Sequence, residues 1–221
     1  GAKDKEEVEK MGVHVGCVIT YPDTFQIIND TKFVCRAIDN RAGGFMIAQV
    51  ARLLHENKVK LPFGLYITNS VQEEIGLRGV QTSAFAVDPQ VGIAVDVTHA
   101  TDCPTIDKRQ NGDIKLGGGP VIERGPNVNH RLFANLVETA KGAEMNYQIA
   151  AHNRGTGTDA NAIQLSGAGV VTGLISIAAE QLNLPVMPEV ATEPGENALL
   201  ARGRHRAFVK VQDGCRYRCA F

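Results

Sequence analysis

VGIAVDVT, residues 91–98, decides the class of fold. Apart from Asp96 and Thr98 the run is apolar. A short, nearly unbroken apolar run is expected of a strand covered on both faces, as in a sheet packed between helices. GVVTGLISI (169–177) repeats the pattern. Leu65 to Thr68 reads as a third, compact strand, and the stretch near 146–151 as a fourth.

The segments between these strands carry helical spacing. Ala42, Phe45, Met46, Gln49, Val50, Leu53 and Leu54 recur at i, i+3, i+4, which predicts an amphipathic helix over about 40–57. Residues 78–87 read as a short helix. Leu132, Phe133, Leu136, Val137 and Ala140 share one face of a helix over about 128–145, and another short helix is predicted near 159–167. Strands alternating with helices of this length predict an α/β sheet with helices on both faces. Residues 13–34 differ. Short apolar runs there are broken by Pro, Asp and Asn, and they read as two or three small strands.

Composition narrows the function. The 221 residues are 43% hydrophobic and 5% aromatic, with no Trp, and the net charge is −1. That balance points to neither nucleic acid nor an anionic membrane as partner. No stretch reaches the roughly 18 apolar residues of a membrane span. Five irregularly spaced cysteines (Cys17, Cys35, Cys103, Cys215 and Cys219) read as reduced thiols of a cytoplasmic protein. Cys215 and Cys219 stand four apart, but no second pair lies at zinc-finger spacing. LGGGP (116–120) lacks the Lys-Ser or Lys-Thr of a phosphate-binding loop, and GTGTD (155–159) lacks the strand–GxGxxG–helix setting of a dinucleotide site. The first sixteen residues contain one Met, at position 11, and begin without one. They read as a chain whose start lies further upstream.

Acidic residues mark the candidate site. Asp39 lies in CRAIDNRAGG, between a strand-like run and a helix. Glu73 and Glu74 stand together in VQEEIGLRGV, and Asp96 closes VGIAVDVT. In open α/β sheets ligands bind beyond the carboxyl ends of the strands. Carboxylates gathered there raise one another's pKa unless something positive lies between them, and one or two divalent cations would serve. Any one strand-end Asp is also an ordinary helix cap or turn former. An adjacent pair of glutamates allows a division of labour, one holding a metal while the other takes a proton from water.

Taken in order, AIDNRAGG, VQEEIGLRGV, AVDVTHATDCP, GGGPVI and GTGTDANAI resemble the tetrahedral (TET) aminopeptidase family over about residues 1–177. That family includes glutamyl aminopeptidases and proteins labelled cellulase M or endo-1,4-glucanase. The resemblance implies a three-layer α/β/α sandwich of the zinc-peptidase type over residues 35–221. Residues 1–34 would be the remnant of a small β-rich inserted domain used in oligomer contacts. It implies two divalent metal ions, zinc or cobalt, peptide substrates cleaved at the N-terminus, and a homo-oligomer ranging from dimer to dodecamer. Residue by residue, Asp39 matches the carboxylate bridging both metals, Glu74 and Asp96 match ligands to one metal each, and Glu73 matches the general base. Thr158 and Asp159 match the Gly-Thr-Asp loop at the substrate-binding wall.

The chain departs from the family in two places. The family's metal-binding His upstream of the insert has no counterpart here. The His expected after the ISI strand is missing from ISIAAEQLNLPVMPEV, where Asn183 lies nearest its place. An amide is a poor zinc ligand beside imidazole. His99 and His152 are the candidates among the six histidines to lean toward the site. The tail ARGRHRAFVKVQDGCRYRCAF is basic and unlike the family, and GENALLA (195–201) would start a helix that GRHRAF interrupts. Three functions follow as expectations: a dinuclear aminopeptidase, a metal-site-defective member acting as a structural or peptide-binding subunit, and an endo-1,4-glucanase. The last needs two carboxylates flanking a sugar cleft, and the chain lacks the aromatic platforms for it.

Overall fold

The computed structural model describes residues 1–18, 24–104 and 106–180. The expectations for Asn183, the 195–201 helix, Cys215, Cys219 and the basic tail lie outside those residues. Helix α1 (Lys5–Lys10) opens the chain, with the Asp4 side chain accepting from the Glu7 N–H. Strands β1 (Gln26–Ile28) and β2 (Lys32–Val34) form a separate antiparallel hairpin. Phe25 and Phe33 stack across it with ring centroids 5.9 Å apart.

Helix α2 (Ile38–Glu56), helix α3 (Arg78–Val87) and strand β3 (Val91–His99) follow, close to the ranges expected from periodicity. A short helix α4 (Lys108–Asn111), strand β4 (Val121–Arg124), helix α5 (His130–Gly142) and strand β5 (Gln148–Ala151) come next. The described chain ends with helix α6 (Ala160–Ile163) and strand β6 (Val171–Ala179). Helix α5 starts where the Asn129 side chain accepts from the N–H groups of Arg131 and Leu132.

The larger sheet has the order β3-β6-β4-β5 among the described residues. β3 runs parallel to β6 over nine residue pairs, from Val91↔Val171 to His99↔Ala179. β4 and β5 are parallel to each other, but β4 is antiparallel to β6. The sheet is therefore mixed, as the long crossovers through helices allow.

Helices cover both faces. A Cβ on Gly92 would strike Ile163 of α6, while one on the neighbouring face at Gly173 would meet Leu132 and Leu136 of α5. Val80 and Ala84 of α3 pack with Ala94, Leu174, Ala160 and Ile163 in one core cluster. Val137 and Ala140 of α5 close on Ile122 in the other. This is the α/β/α layering expected from the sequence.

Three local readings differ. Leu65–Thr68 is not a strand: it joins no ladder among the described residues, and Tyr66 is 69% exposed. A strand needs a hydrogen-bonded neighbour, which an apolar run cannot supply by itself. β4, in contrast, forms directly after the Gly-rich 116–120, where the sequence suggested no strand. Its neighbouring loop is pinned by Gln148, whose Nε2 donates to the carbonyls of Lys115 and Gly119 and whose Oε1 accepts from the Lys115 N–H. The predicted apolar stripe of α2 exists, yet Phe45, Val50 and Leu53 are exposed among the described residues.

Candidate active site

Three segments meet beside β3. The first is the start of α2. Asp39 and Asn40 have non-helical backbone angles and the peptide between them is cis, so the regular helix begins after them. Asn40 holds this entry in place. Its Nδ2 donates to the Val95 carbonyl at 2.7 Å and its Oδ1 accepts from the Gly43 N–H at 2.8 Å. A Cβ on Gly43 would sit 2.3 Å from the Asn40 oxygen and displace that side chain.

The second segment is VQEEIGLRGV. It folds as a 3-10 turn over Glu73–Ile75, flanked by left-handed residues at Gln72, Gly76 and Leu77. The Gly79 N–H donates to the Val71 carbonyl at 2.9 Å, so the stretch closes on itself. A Cβ on Gly79 would lie 2.3 Å from that carbonyl oxygen. The adjacent glutamates thus sit in a tight bend rather than along a strand, and both side chains can border one space.

The third segment is the strand itself with the loop beside it. Asp96 lies toward the end of β3, 8% exposed, with its Oδ1 accepting from the Val97 N–H at 2.8 Å. Asp159 follows the GTGT loop at the mouth of α6.

Asp39, Glu73, Glu74, Asp96 and Asp159 all line one cavity of about 360 Å³. Arg41 is the cation among the lining residues. Such crowding of negative charge shows in the acidities. Burial pushes Glu73 up to about 8, with Asp96, Asp159, Glu74 and Asp39 adding to the rise. Asp96 is raised to about 6, chiefly by burial, and the Val97 N–H opposes the shift. Burial also lifts Asp159 to about 6, against a hydrogen bond from the Ser70 hydroxyl.

Five carboxylates against one guanidinium make a donor set suited in charge and atom type to divalent cations with oxygen ligands. In position they surround the cavity rather than a single point. Among the described residues no group of three His, Cys, Asp or Glu side chains is gathered closely enough to hold an ion. Loading metal would require the carboxylates to draw in.

Of the residues singled out from sequence, Asp39, Glu73, Glu74, Asp96 and Asp159 are brought together here. Thr158 is buried next to Asp159, its hydroxyl 2.9 Å from that of Thr156, and does not line the cavity. No histidine lines it among the described residues. His99 is exposed at the end of β3, and His152 bonds Glu123 instead. Asn40, Arg41 and Ser70 escaped sequence reasoning. Their signal was proximity, since each lies within four residues of a carboxylate already chosen.

Comparison with known proteins bears on the family and the fold. The profile of the M42 glutamyl aminopeptidase family matches residues 1–186. Lysyl aminopeptidase of Pyrococcus furiosus is 39% identical over 179 residues, covering 80% of this chain and 49% of its own. The crystal structure of a TET aminopeptidase from a marine sediment archaeon, a member of the Thaumarchaeota, superposes with a TM-score of 0.74 at 32% identity, over 81% of this chain and 50% of that one. A structure described as PhTET1-12s, a dodecamer, has a TM-score of 0.60 at 25% identity, over 81% of this chain and 52% of that one. The chain spans about half the length of the relatives it matches.

Proposed function

Because the chain belongs to the M42 glutamyl aminopeptidase family, we propose that it is a metal-dependent aminopeptidase that removes N-terminal residues from peptides. In this reading Glu73 is the general base, and Asp39, Glu74 and Asp96 hold two divalent ions, zinc or cobalt. The observation that carries it is the convergence of five carboxylates on one cavity, with Glu73 raised to about 8. When bound, such ions supply Lewis acidity for attack on a peptide carbonyl.

Glu73 takes a proton from the attacking water at a carboxylate oxygen and returns it to the departing amine. Its position favours that role. It is half-buried, beside Glu74, and its pKa is raised by burial and by neighbours whose charge a divalent cation would offset. Asn40 holds the entry to α2 against β3, which keeps Asp39 and Asp96 on one cavity. Asp159, with Thr158 behind it, forms the wall that meets substrate. The dodecameric neighbour supports assembly into a homo-oligomer. In the same reading residues 1–34 are the remnant of an inserted oligomerisation domain and residues 35–221 the catalytic part.

Glu73→Gln removes the base while preserving shape. Hydrolysis of aminoacyl-p-nitroanilides in added zinc or cobalt should fall at least a hundredfold, with bound metal unchanged by elemental analysis. Activity surviving the change refutes the assignment. One observation favours a second reading, a structural or peptide-binding subunit with a defective metal site: no three metal-ligating side chains gather at one point among the described residues. A wild-type chain that retains no metal, cleaves nothing and still captures peptides or assembles would favour that reading over the first.

A further inference from the structure

Asp159 reaches the cavity at the end of a loop, residues 152–159, whose supports lie outside the cavity. Glu123 in β4 is 2% exposed, among the most buried side chains of the described chain. Its side-chain partner is His152, just after β5, with Nε2 2.6 Å from the Glu123 Oε2 and the imidazole N–H donating to the carboxylate. The His152 backbone N–H donates to the Arg124 carbonyl at 2.8 Å. Farther along the loop, Asn127, 3% exposed, donates through Nδ2 to the Thr156 hydroxyl at 2.8 Å, and that hydroxyl pairs with Thr158 at 2.9 Å. Gly125 lies between the two supports: a Cβ there would lie 3.4 Å from the His152 Cβ and 3.3 Å from the Asn127 Oδ1.

A buried carboxylate on a short strand is a costly choice where Val or Ile would pack as well. Glu123, His152 and Asn127 do not line the cavity, so contact with substrate does not explain them. The polar groups supply directional bonds, which an apolar core cannot. Beyond Thr158, α6 takes over, with Ala160 fully buried. The loop is thus fastened at both ends, and Asp159 stands at the junction.

We propose that the Glu123–His152 pair, joined by Asn127, Thr156 and Thr158, is a strut that positions Asp159 in the substrate wall. These are positioning residues, and the inference rests on the reading of Asp159 as part of a peptidase site. Thr158 then acts through the strut rather than on substrate.

The test compares His152→Ala, His152→Gln and Thr156→Val in the full chain with added cobalt. Amide hydrogen exchange reports the loop, and p-nitroanilide kinetics report the site. In His152→Ala, exchange over 153–159 should rise at least tenfold while β3 and β6 are unchanged, and KM should rise about tenfold with kcat within about threefold. Thr156→Val should act in the same direction. His152→Gln, which can still donate to Glu123, should recover at least half of the KM effect on a logarithmic scale. A merely structural role would lower the active fraction, hence kcat, and leave KM alone. An unchanged KM, or unchanged loop exchange, overturns the proposal. If the wild-type chain turns over no substrate, it is the peptidase reading that fails, and the strut stands or falls on the exchange data.

Discussion

In the absence of divalent metal, the chain should lose stability as pH rises from 4 to 8. Asp96 carries the clearest share. Its carboxyl, 8% exposed, is raised from 3.8 to about 6, first by burial and then by neighbouring acids, against the pull of the Val97 N–H. The unfolded chain has no such burial, and there Asp96 ionises near 3.8. Between these values the folded state keeps a proton that the unfolded state has released, so unfolding grows more favourable as pH rises. The loss starts near pH 4 and is complete above about 6. A difference of about two pH units at 1.36 kcal/mol each makes about 3 kcal/mol.

Glu73, raised to about 8, extends the same trend to that pH. It is more open to water, so its contribution falls well short of the full difference. At 2–4 °C per kcal/mol for a chain of this size, Asp96 alone lowers the thermal midpoint by roughly 6–12 °C. Calorimetry from pH 4 to 8 at constant ionic strength, after chelation and dialysis, measures the fall. Asp96→Asn removes this share and should flatten the profile between pH 4 and 6. A divalent cation should raise the midpoint more at pH 8 than at pH 5, because protons compete for the same carboxylates. A midpoint that holds level or climbs with pH, or an Asp96→Asn profile parallel to the wild type, refutes the reasoning.

Other perturbations test the frame around the site. Leu174→Ala empties a core position 1% exposed in β6, between β3 and β4, and should cost about 3 kcal/mol in urea unfolding. Gly79→Ala drives a Cβ against the Val71 backbone and should cost about 2 kcal/mol, with weaker cobalt binding by titration because the displaced turn carries Glu73 and Glu74. Asn40→Ala removes the bonds to the Val95 carbonyl and the Gly43 N–H; about 2 kcal/mol of stability should go with them, and the affinity for divalent cations should fall.

Much of the secondary structure was legible. Helices α2 and α5 declared themselves through apolar residues three and four apart, α3 was read as a short helix, and β3 and β6 showed as continuous apolar runs. The failures have physical causes. β4 is four residues long and contains Glu123, which any pattern counts as surface although it is buried on His152. Leu65–Thr68 has strand composition and no paired neighbour among the described residues. His152 looked like a possible metal ligand because a lone imidazole reads the same whether it faces a metal or a buried carboxylate. At the site, the carboxylates were visible as residue types at the ends of apolar runs, while the strut behind Asp159 was not.

The division follows from where the information lies. Periodicity, turn chemistry and the motif series with its family resemblance belong to contiguous residues, and the sequence determined them unaided. The parallel pairing of β3 with β6, the antiparallel turn to β4 and the meeting of Asp39, Glu73, Glu74, Asp96 and Asp159 on one cavity join residues up to 120 positions apart. Only the tertiary structure decided these. Burial then changed what the residues are: a carboxylate that is an ordinary acid in the open chain becomes, beside four others in a cavity, one that holds its proton to about pH 8.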